Sequence, residues 1–201
     1  MPYSEFKTIG KVKADFNLTT REGVRFLPDL DPIAPSEMLT AFLRQSLPLA
    51  VATGSEKARS EMIIAPVLLE VREILKQQIS LFSGEEFNVD PASGLSGFCD
   101  FIISRSPELL EIEAPAVAIV EAKRADIKTG ISQCVATMVA AQQFNQAKQQ
   151  PISRIYGCVS SGTQWIFLQL ENKIVTIDLM DYPLPPVEQI LAFLLWMIQE
   201  G

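Results

Sequence analysis

Two acidic residues and a lysine interrupt otherwise apolar segments, and they are the side chains best suited to chemistry. Asp100 lies within the apolar segment 97–103, and Glu121 and Lys123 close the apolar segment 116–123. Because side chains alternate across a strand, Glu121 and Lys123 share one face. Ionised groups are costly to bury unless they pair or hold a metal. We therefore expect these charges at an end of the sheet or in a cleft.

Two carboxylates from adjacent strands form a hard, oxygen-rich site. Such a site suits Mg²⁺ or Mn²⁺ and does not suit zinc. A lysine that points the same way can hold a water molecule or offset the charge on an attacked phosphate. The alternative is a plain ion pair between Glu121 and Lys123 at the solvent edge of a strand. The three residues alone, without their context, favour that alternative.

The composition excludes several other kinds of site. The 201 residues include no histidine, which rules out Ser-His-Asp triads, Cys-His proteases and His-ligated zinc. The 3 cysteines form no C-x-x-C pair, which is typical of reduced thiols in a cytoplasmic protein. The net charge of −7 argues against simple charge-driven binding to nucleic acid or to an anionic membrane. The most apolar stretch, 190–198, is too short to span a bilayer, so we expect no membrane association.

Hydrophobic periodicity predicts the elements that position these residues. Apolar residues at helical spacing predict helices over 57–79, 129–149 and 186–199, after a short helix that Ser36 caps. Pro66 should kink or open the first long helix. Alternating patterns predict strands over 97–103, 116–123, 154–160, 163–170 and 173–179. We expect a single α/β domain over residues 1–201, with a central mixed β-sheet flanked by helices on both faces.

The order of these residues and elements resembles the PD-(D/E)xK nuclease superfamily, which has the restriction endonuclease-like fold. In that family an acidic residue on one strand precedes a strand that carries Glu-x-Lys. Here Asp100 precedes the sequence Glu121-Ala122-Lys123. The resemblance is to the N-terminal nuclease domains of restriction enzymes. It covers residues 57–170, so that 1–54 form an N-terminal extension and 186–199 a C-terminal helix.

Two polar residues on the predicted helices match further features of the family. Members often carry a glutamate in the helix before the sheet, as Glu61 here, and a glutamine in the helix after Glu-x-Lys, as Gln133 here. Helix geometry places Glu61 at the edge of the apolar stripe, either aimed at the site or favoured by the helix dipole. The resemblance implies that Gln133 orients the site or touches substrate; the alternative is a polar residue at a helix start.

The resemblance implies a Mg²⁺- or Mn²⁺-dependent nuclease that hydrolyses phosphodiester bonds, with DNA as the expected substrate. Asp100, Glu121 and the backbone carbonyl of Ala122 would bind the metal, assisted by Glu61. Lys123 would position the attacking water. The protein would reach DNA directly or through a partner protein, and a homodimer would suit cleavage of two strands.

Two other functions remain open at this point. The acid excess and the lack of a basic run favour a catalytically inactive nuclease-like module used for protein interaction or assembly. A Mg²⁺-dependent phosphohydrolase acting on a small nucleotide is the third possibility, because an acidic surface does not hinder binding of a small substrate. The segment 104–115 between the two acidic strands is expected to be a solvated acidic loop.

Overall fold

The structure is a computed structural model that describes residues 3–124 and 127–200. Its strands are β1 (Thr19–Glu22), β2 (Ser80–Glu86), β3 (Phe98–Ser104), β4 (Ala116–Ala122), β5 (Arg154–Ser160), β6 (Gln164–Glu171) and β7 (Ile174–Pro183). Its α-helices are α1 (Ile9–Phe16), α2 (Glu37–Thr53), α3 (Glu56–Arg59), α4 (Ala65–Ile74), α5 (Ile127–Ala147) and α6 (Glu188–Glu200).

The strands form one mixed sheet in the order β1-β7-β6-β5-β4-β3-β2. The pairs β4–β5 and β1–β7 are parallel, and the other neighbours are antiparallel. The long helix α5 connects the parallel strands β4 and β5, as a crossover requires. The chain therefore has the predicted α/β class and mixed sheet.

Helices cover both faces of this sheet. On one face, α2, α4 and α6 pack through Leu43, Leu68 and Leu194 onto the strand residues Phe101 and Val120. On the other face, α1 and α5 pack through side chains that include Val12, Phe16 and Cys134 onto strand residues that include Ile102 and Ile119. The alternation of neighbouring strand residues between two buried clusters is what a two-sided sheet requires. The prediction of helices on both faces is confirmed.

The first 54 residues take part in the sheet and its cover. Strand β1 pairs in parallel with β7, and Thr19 lies opposite Ile174. Helix α2 is capped by Ser36, whose hydroxyl accepts a hydrogen bond from the backbone N–H of Leu39. Ser36 is therefore the helix cap that the sequence predicts. The segment that the resemblance left outside its core thus completes one edge and one face of the fold.

Pro66 interrupts the first long helix, as predicted. A single wide π turn, Ser60–Ile64, separates α3 from α4, and the backbone N–H of Ala65 bonds to the carbonyl of Ser60. Proline has no N–H to offer the carbonyl four residues earlier, which belongs to Met62. The hydroxyl of Ser46 on α2 donates to that carbonyl instead, at 2.7 Å. The helical segment ends at Ile74, five residues before the predicted end.

The segment between β3 and β4 is a loop, as expected. Glu108, Glu111 and Glu113 are exposed in it. The hydroxyl of Ser106 donates to the Glu113 carboxylate at 2.6 Å, which ties the loop to itself. None of the helices in the described residues is long and apolar enough to cross a membrane.

Candidate metal site

The register of β3 against β4 brings the two predicted carboxylates to the same place. Phe101 lies opposite Val120 in this antiparallel pair, so the residue before Phe101 meets the end of β4. There the backbone N–H of Ala122 donates to Oδ2 of Asp100 at 2.8 Å. Asp100 is thus anchored beside the strand end that carries Glu121.

Lys123 folds back onto Glu121. Its Nζ lies 2.8 Å from Oε1 of Glu121, and the two side chains are only 15% and 12% exposed. A plain ion pair at the solvent edge of a strand would be exposed to water, whereas the pair of Lys123 and Glu121 is largely buried. Burial removes much of the screening that makes surface pairs weak, so these charges interact strongly with any third charge nearby.

The third charge is a second acid, and it leaves the cluster with an excess of negative charge. Burial, and after it the charge of Asp100, raises the pKa of Glu121 to about 7 in spite of Lys123. Burial also raises the pKa of Asp100. Burial acts to lower the pKa of Lys123, but the charge and hydrogen bond of Glu121 outweigh it, and the pKa is raised. Carboxylates that resist ionisation in this way would ionise readily if a cation were bound between them.

A carboxylate from the preceding helix does approach the site, and it is Glu56. Its Oε2 accepts a hydrogen bond from the backbone N–H of Arg124, the residue after Lys123, at 3.2 Å. Its charge contributes to the raised pKa values of Asp100, Glu121 and Lys123. Glu56 remains largely exposed, so it borders the buried cluster and does not lie inside it.

Local structure explains why Glu56 takes this position. Ser55 caps α3, with its hydroxyl accepting from the backbone N–H of Ala58, so Glu56 occupies the first helical position. Arg59 on the next turn donates to the carbonyl of Ser161 at 2.8 Å, which ties α3 to the turn between β5 and β6. The helix start is therefore fixed against the sheet end that carries the acids. The Gly54-Ser55 pair is a cap signal that the sequence contains, and it was missed because the helix was predicted from residue 57.

Glu61, the helix glutamate expected at the site, lies elsewhere. Its carboxylate is 60% exposed and is 3.6 Å from Nζ of Lys57. It lines a surface groove with Met38, Phe42 and other residues of α2 and α4. The prediction assumed 3.6 residues per turn through this segment, whereas the π turn widens the helix there. The placement of Glu61 is corrected: Glu56 is the helix carboxylate beside Asp100 and Glu121.

Helix α5 supports the lysine through a glycine. A Cβ atom on Gly130 would lie 2.8 Å from Cγ of Lys123 and 2.5 Å from Cγ1 of Val159. Only glycine leaves room there for the lysine stem. Gln133 lies one turn further along α5 and is half-buried. Its backbone carbonyl accepts a hydrogen bond from the hydroxyl of Thr137. The role predicted for its side chain stays a prediction.

The donor set fits a hard divalent cation but is small. Asp100 and Glu121 offer carboxylate oxygens, and the backbone carbonyl of Ala122, between Glu121 and Lys123, stays a predicted ligand. Within residues 3–124 and 127–200, no group of three or more His, Cys, Asp or Glu side chains is arranged to hold a metal ion. Mg²⁺ is commonly held by one or two carboxylates and several waters, so two carboxylates are enough protein ligands for this ion.

Comparison of the chain with family models, with curated proteins and with solved structures found no match. The arrangement of its own side chains is therefore the basis for assigning a function.

Proposed function

We propose that this protein is a Mg²⁺- or Mn²⁺-dependent nuclease of the PD-(D/E)xK type, with the restriction endonuclease-like fold, and that it hydrolyses phosphodiester bonds. One observation carries the proposal. Asp100 on β3 and Glu121 on β4 lie side by side next to a largely buried Lys123, and burial with mutual repulsion raises the pKa of Glu121 to about 7. Strongly perturbed carboxylates beside a lysine are typical of catalytic sites.

Each residue has a part in this proposal. Asp100, Glu121 and the carbonyl of Ala122 would hold the metal, and Glu56 takes the assisting place that was predicted for Glu61. A bound divalent cation would supply Lewis-acid stabilisation of negative charge on the phosphate and lower the pKa of water. The ammonium group of Lys123 would hold the attacking water and offset the charge that develops on phosphate oxygens.

DNA is the proposed substrate, and the acidic balance of the chain bears on how it is reached. A net charge of −7 gives no general attraction to a polyanion, so a partner protein or a second copy would help to hold the duplex. Gln133 would contact substrate from the second turn of α5. We place the protein in the cytoplasm because Cys99, Cys134 and Cys158 are all free and buried, which suits a reducing compartment.

The test is cleavage of plasmid and linear DNA with Mg²⁺, with Mn²⁺ and with a chelator. The wild type should cleave only with metal, and Asp100→Asn and Lys123→Gln should each lower the rate by about 100-fold or more. Glu86→Gln, at the exposed end of β2, is the matched control and should cleave at the wild-type rate. Circular dichroism of each variant checks that the fold is kept. A wild type inactive with both metals, or variants as active as the control, would overturn the proposal.

A catalytically inactive module for protein assembly is the second candidate. The absence of a three-residue metal cluster among the described residues and the acid excess favour it. Calorimetry with Mn²⁺ separates the two candidates. A nuclease should bind Mn²⁺ and lose that binding in Asp100→Asn. An assembly module should show no binding, or binding that Asp100→Asn leaves unchanged.

A further inference from the structure

The strongest surface feature away from the candidate metal site is an apolar groove between α2 and α4. It is lined by Met38, Phe42 and Leu69, which are 82%, 45% and 53% exposed to solvent. The groove has a volume of about 310 Å³, and its walls are completed by Leu39, Ala65 and Pro66. Contiguous apolar side chains on a surface typically mark an interaction site, whereas single ones need no explanation.

The groove follows from the way the two helices are built. Met38 and Phe42 are four residues apart on α2, so they form one stripe that points away from the core, while Leu39 and Leu43 point into it. Leu69 lies on α4, three residues after Pro66 and one turn beyond the π turn. The stripe on α2 and Leu69 on α4 therefore face one another across a gap that no side chain of the described residues fills.

Carboxylates border this gap. Among the described residues, the side chains that line the groove include Glu61, Glu70 and Glu73 but no lysine or arginine. The cations nearest to two of them lie outside the lining: Lys57 at 3.6 Å from Glu61, and Arg72 at 3.8 Å from Glu73. Both contacts are long, and both glutamate side chains are exposed to solvent. The cations therefore neutralise the acidic rim of the groove, formed by Glu61 and Glu73, only weakly.

The third glutamate has a structural role. Both oxygens of Glu70 accept hydrogen bonds from Ser36, one from the backbone N–H at 2.6 Å and one from the hydroxyl at 2.8 Å. Glu70 thus ties α4 to the start of α2 and fixes the width of the groove. Glu61 and Glu73 have no such bond to α2 among the described contacts. Glu73 accepts hydrogen bonds from the exposed side-chain amide of Gln77 at 3.2 and 3.3 Å, which leaves its negative charge in place for a cationic ligand.

Charge decides between the possible occupants. A second copy placed symmetrically on this face would bring two acidic rims together, and like charges across an interface are costly. An anionic membrane would be repelled in the same way. We propose that the groove between α2 and α4 binds an amphipathic helix of another protein, with apolar anchors on one face and lysine or arginine beside them. This mode needs anchors at helical spacing, which the two apolar walls accept.

The proposal does not depend on the nuclease assignment. The residues that line the groove are on α2, on α4 and in the π turn, and none of them contacts Asp100, Glu121 or Lys123 in the hydrogen bonds and ion pairs of the described residues. Loss of helix binding would leave metal-dependent cleavage intact, and an inactive nuclease site would leave helix binding intact. The two proposals can fail separately.

The test uses a fluorescent synthetic helix of about 18 leucine and lysine residues arranged amphipathically, titrated with the intact protein. The wild type should bind it. Phe42→Ser removes an exposed anchor, and Glu61→Lys with Glu73→Lys reverses two rim charges. Each should weaken binding by about tenfold or more. The matched control, Glu85→Lys with Glu86→Lys, reverses two exposed charges on β2 and should change the affinity by no more than about twofold.

Three results would overturn the proposal. The first is no binding of the leucine–lysine helix by the wild type. The second is equal weakening by the Glu85→Lys, Glu86→Lys control, which means general attraction to an acidic protein. The third is a wild-type dimer in sedimentation that Phe42→Ser converts to a monomer, which means that a second copy occupies the groove. A monomeric wild type that binds the helix and loses it only in the groove variants supports the proposal.

Discussion

Replacing Glu121 by glutamine should stabilise the metal-free protein at neutral and alkaline pH but not in acid. The pKa of Glu121 is about 7 in the folded chain, compared with 4.5 for a free glutamate. Between these two values the folded state holds a proton that the unfolded state has lost. The free energy of unfolding therefore falls as pH rises through this window. Glutamine has nearly the same shape as a protonated glutamate and cannot ionise, so it avoids this loss.

The magnitude follows from the two pKa values. One pH unit of difference corresponds to about 1.4 kcal/mol, so ionised Glu121 lowers the stability of the fold by about 3 kcal/mol above pH 7. The side chain is only 12% exposed, so solvent screening reduces this figure little. The attraction of Lys123 is already included in the pKa of about 7. Glu121→Gln should thus match the wild type at pH 4.5 and exceed it by about 2–3 kcal/mol at pH 8.

Urea unfolding in a chelator at pH 4.5, 6 and 8 measures this difference. In thermal unfolding the gain at pH 8 should be about 5–10 °C for a chain of this size. Glu86→Gln at the exposed end of β2 is the control and should follow the wild type at every pH. A gap between Glu121→Gln and the wild type that stays constant from pH 4.5 to 8 would refute the reasoning, because Glu121 would then not titrate in that window.

Three further substitutions test the parts of the fold that support the site. Gly130→Ala should destabilise the protein by about 1–3 kcal/mol and displace Lys123, because its Cβ would collide with the lysine stem. Gly10→Ala has open space at its Cβ and should not destabilise the protein. Urea unfolding compares the two variants. Ser46→Ala should cost about 1–2 kcal/mol, because the Met62 carbonyl freed by Pro66 loses its donor; thermal unfolding against Ser83→Ala checks this. Asn145→Ala should cost about 2–3 kcal/mol, because the Asn145 amide bonds both the N–H and the carbonyl of Ala116; hydrogen exchange at the start of β4 reports the loss.

The central strands were predictable because their burial is simple. Strands β3 to β6 are covered on both faces or alternate between core and solvent, so apolar residues and period two reveal them. The edge strands give no such signal. All four residues of β1 are polar or charged, and β2 contains Gly84 and ends in two glutamates. Both lie at an edge of the sheet, where each strand bonds to one neighbour, and only the first residues of β2 reach the core.

The site was predictable to the extent that strand geometry determines it. The positions of Asp100, Glu121 and Lys123 follow from an alternation of two and an antiparallel register, and neither changes along a regular strand. The direction in which a helix glutamate points depends on the rotation per residue summed along the helix. One wide turn is enough to change that direction. The π turn Ser60–Ile64 follows Glu56, the glutamate found beside the acids, and contains Glu61, the predicted one. Pro66 indicates that the helix is irregular. It does not indicate how far the residues before the irregularity rotate relative to those after it.

The energetics of the cluster bear on the choice between a site and a structural ion pair. A structural pair of Glu121 with Lys123 would be most stable if no second acid lay beside it. Here Asp100 is fixed next to them by the N–H of Ala122, and Glu56 adds a further negative charge from α3. Burial first, and these neighbouring acids after it, lower the stability of the fold with ionised Glu121 by about 3 kcal/mol, and a bound proton or cation would recover that energy. Mg²⁺ should therefore raise the stability of the wild type at pH 8 more than that of Glu121→Gln, whereas a purely structural pair predicts equal effects.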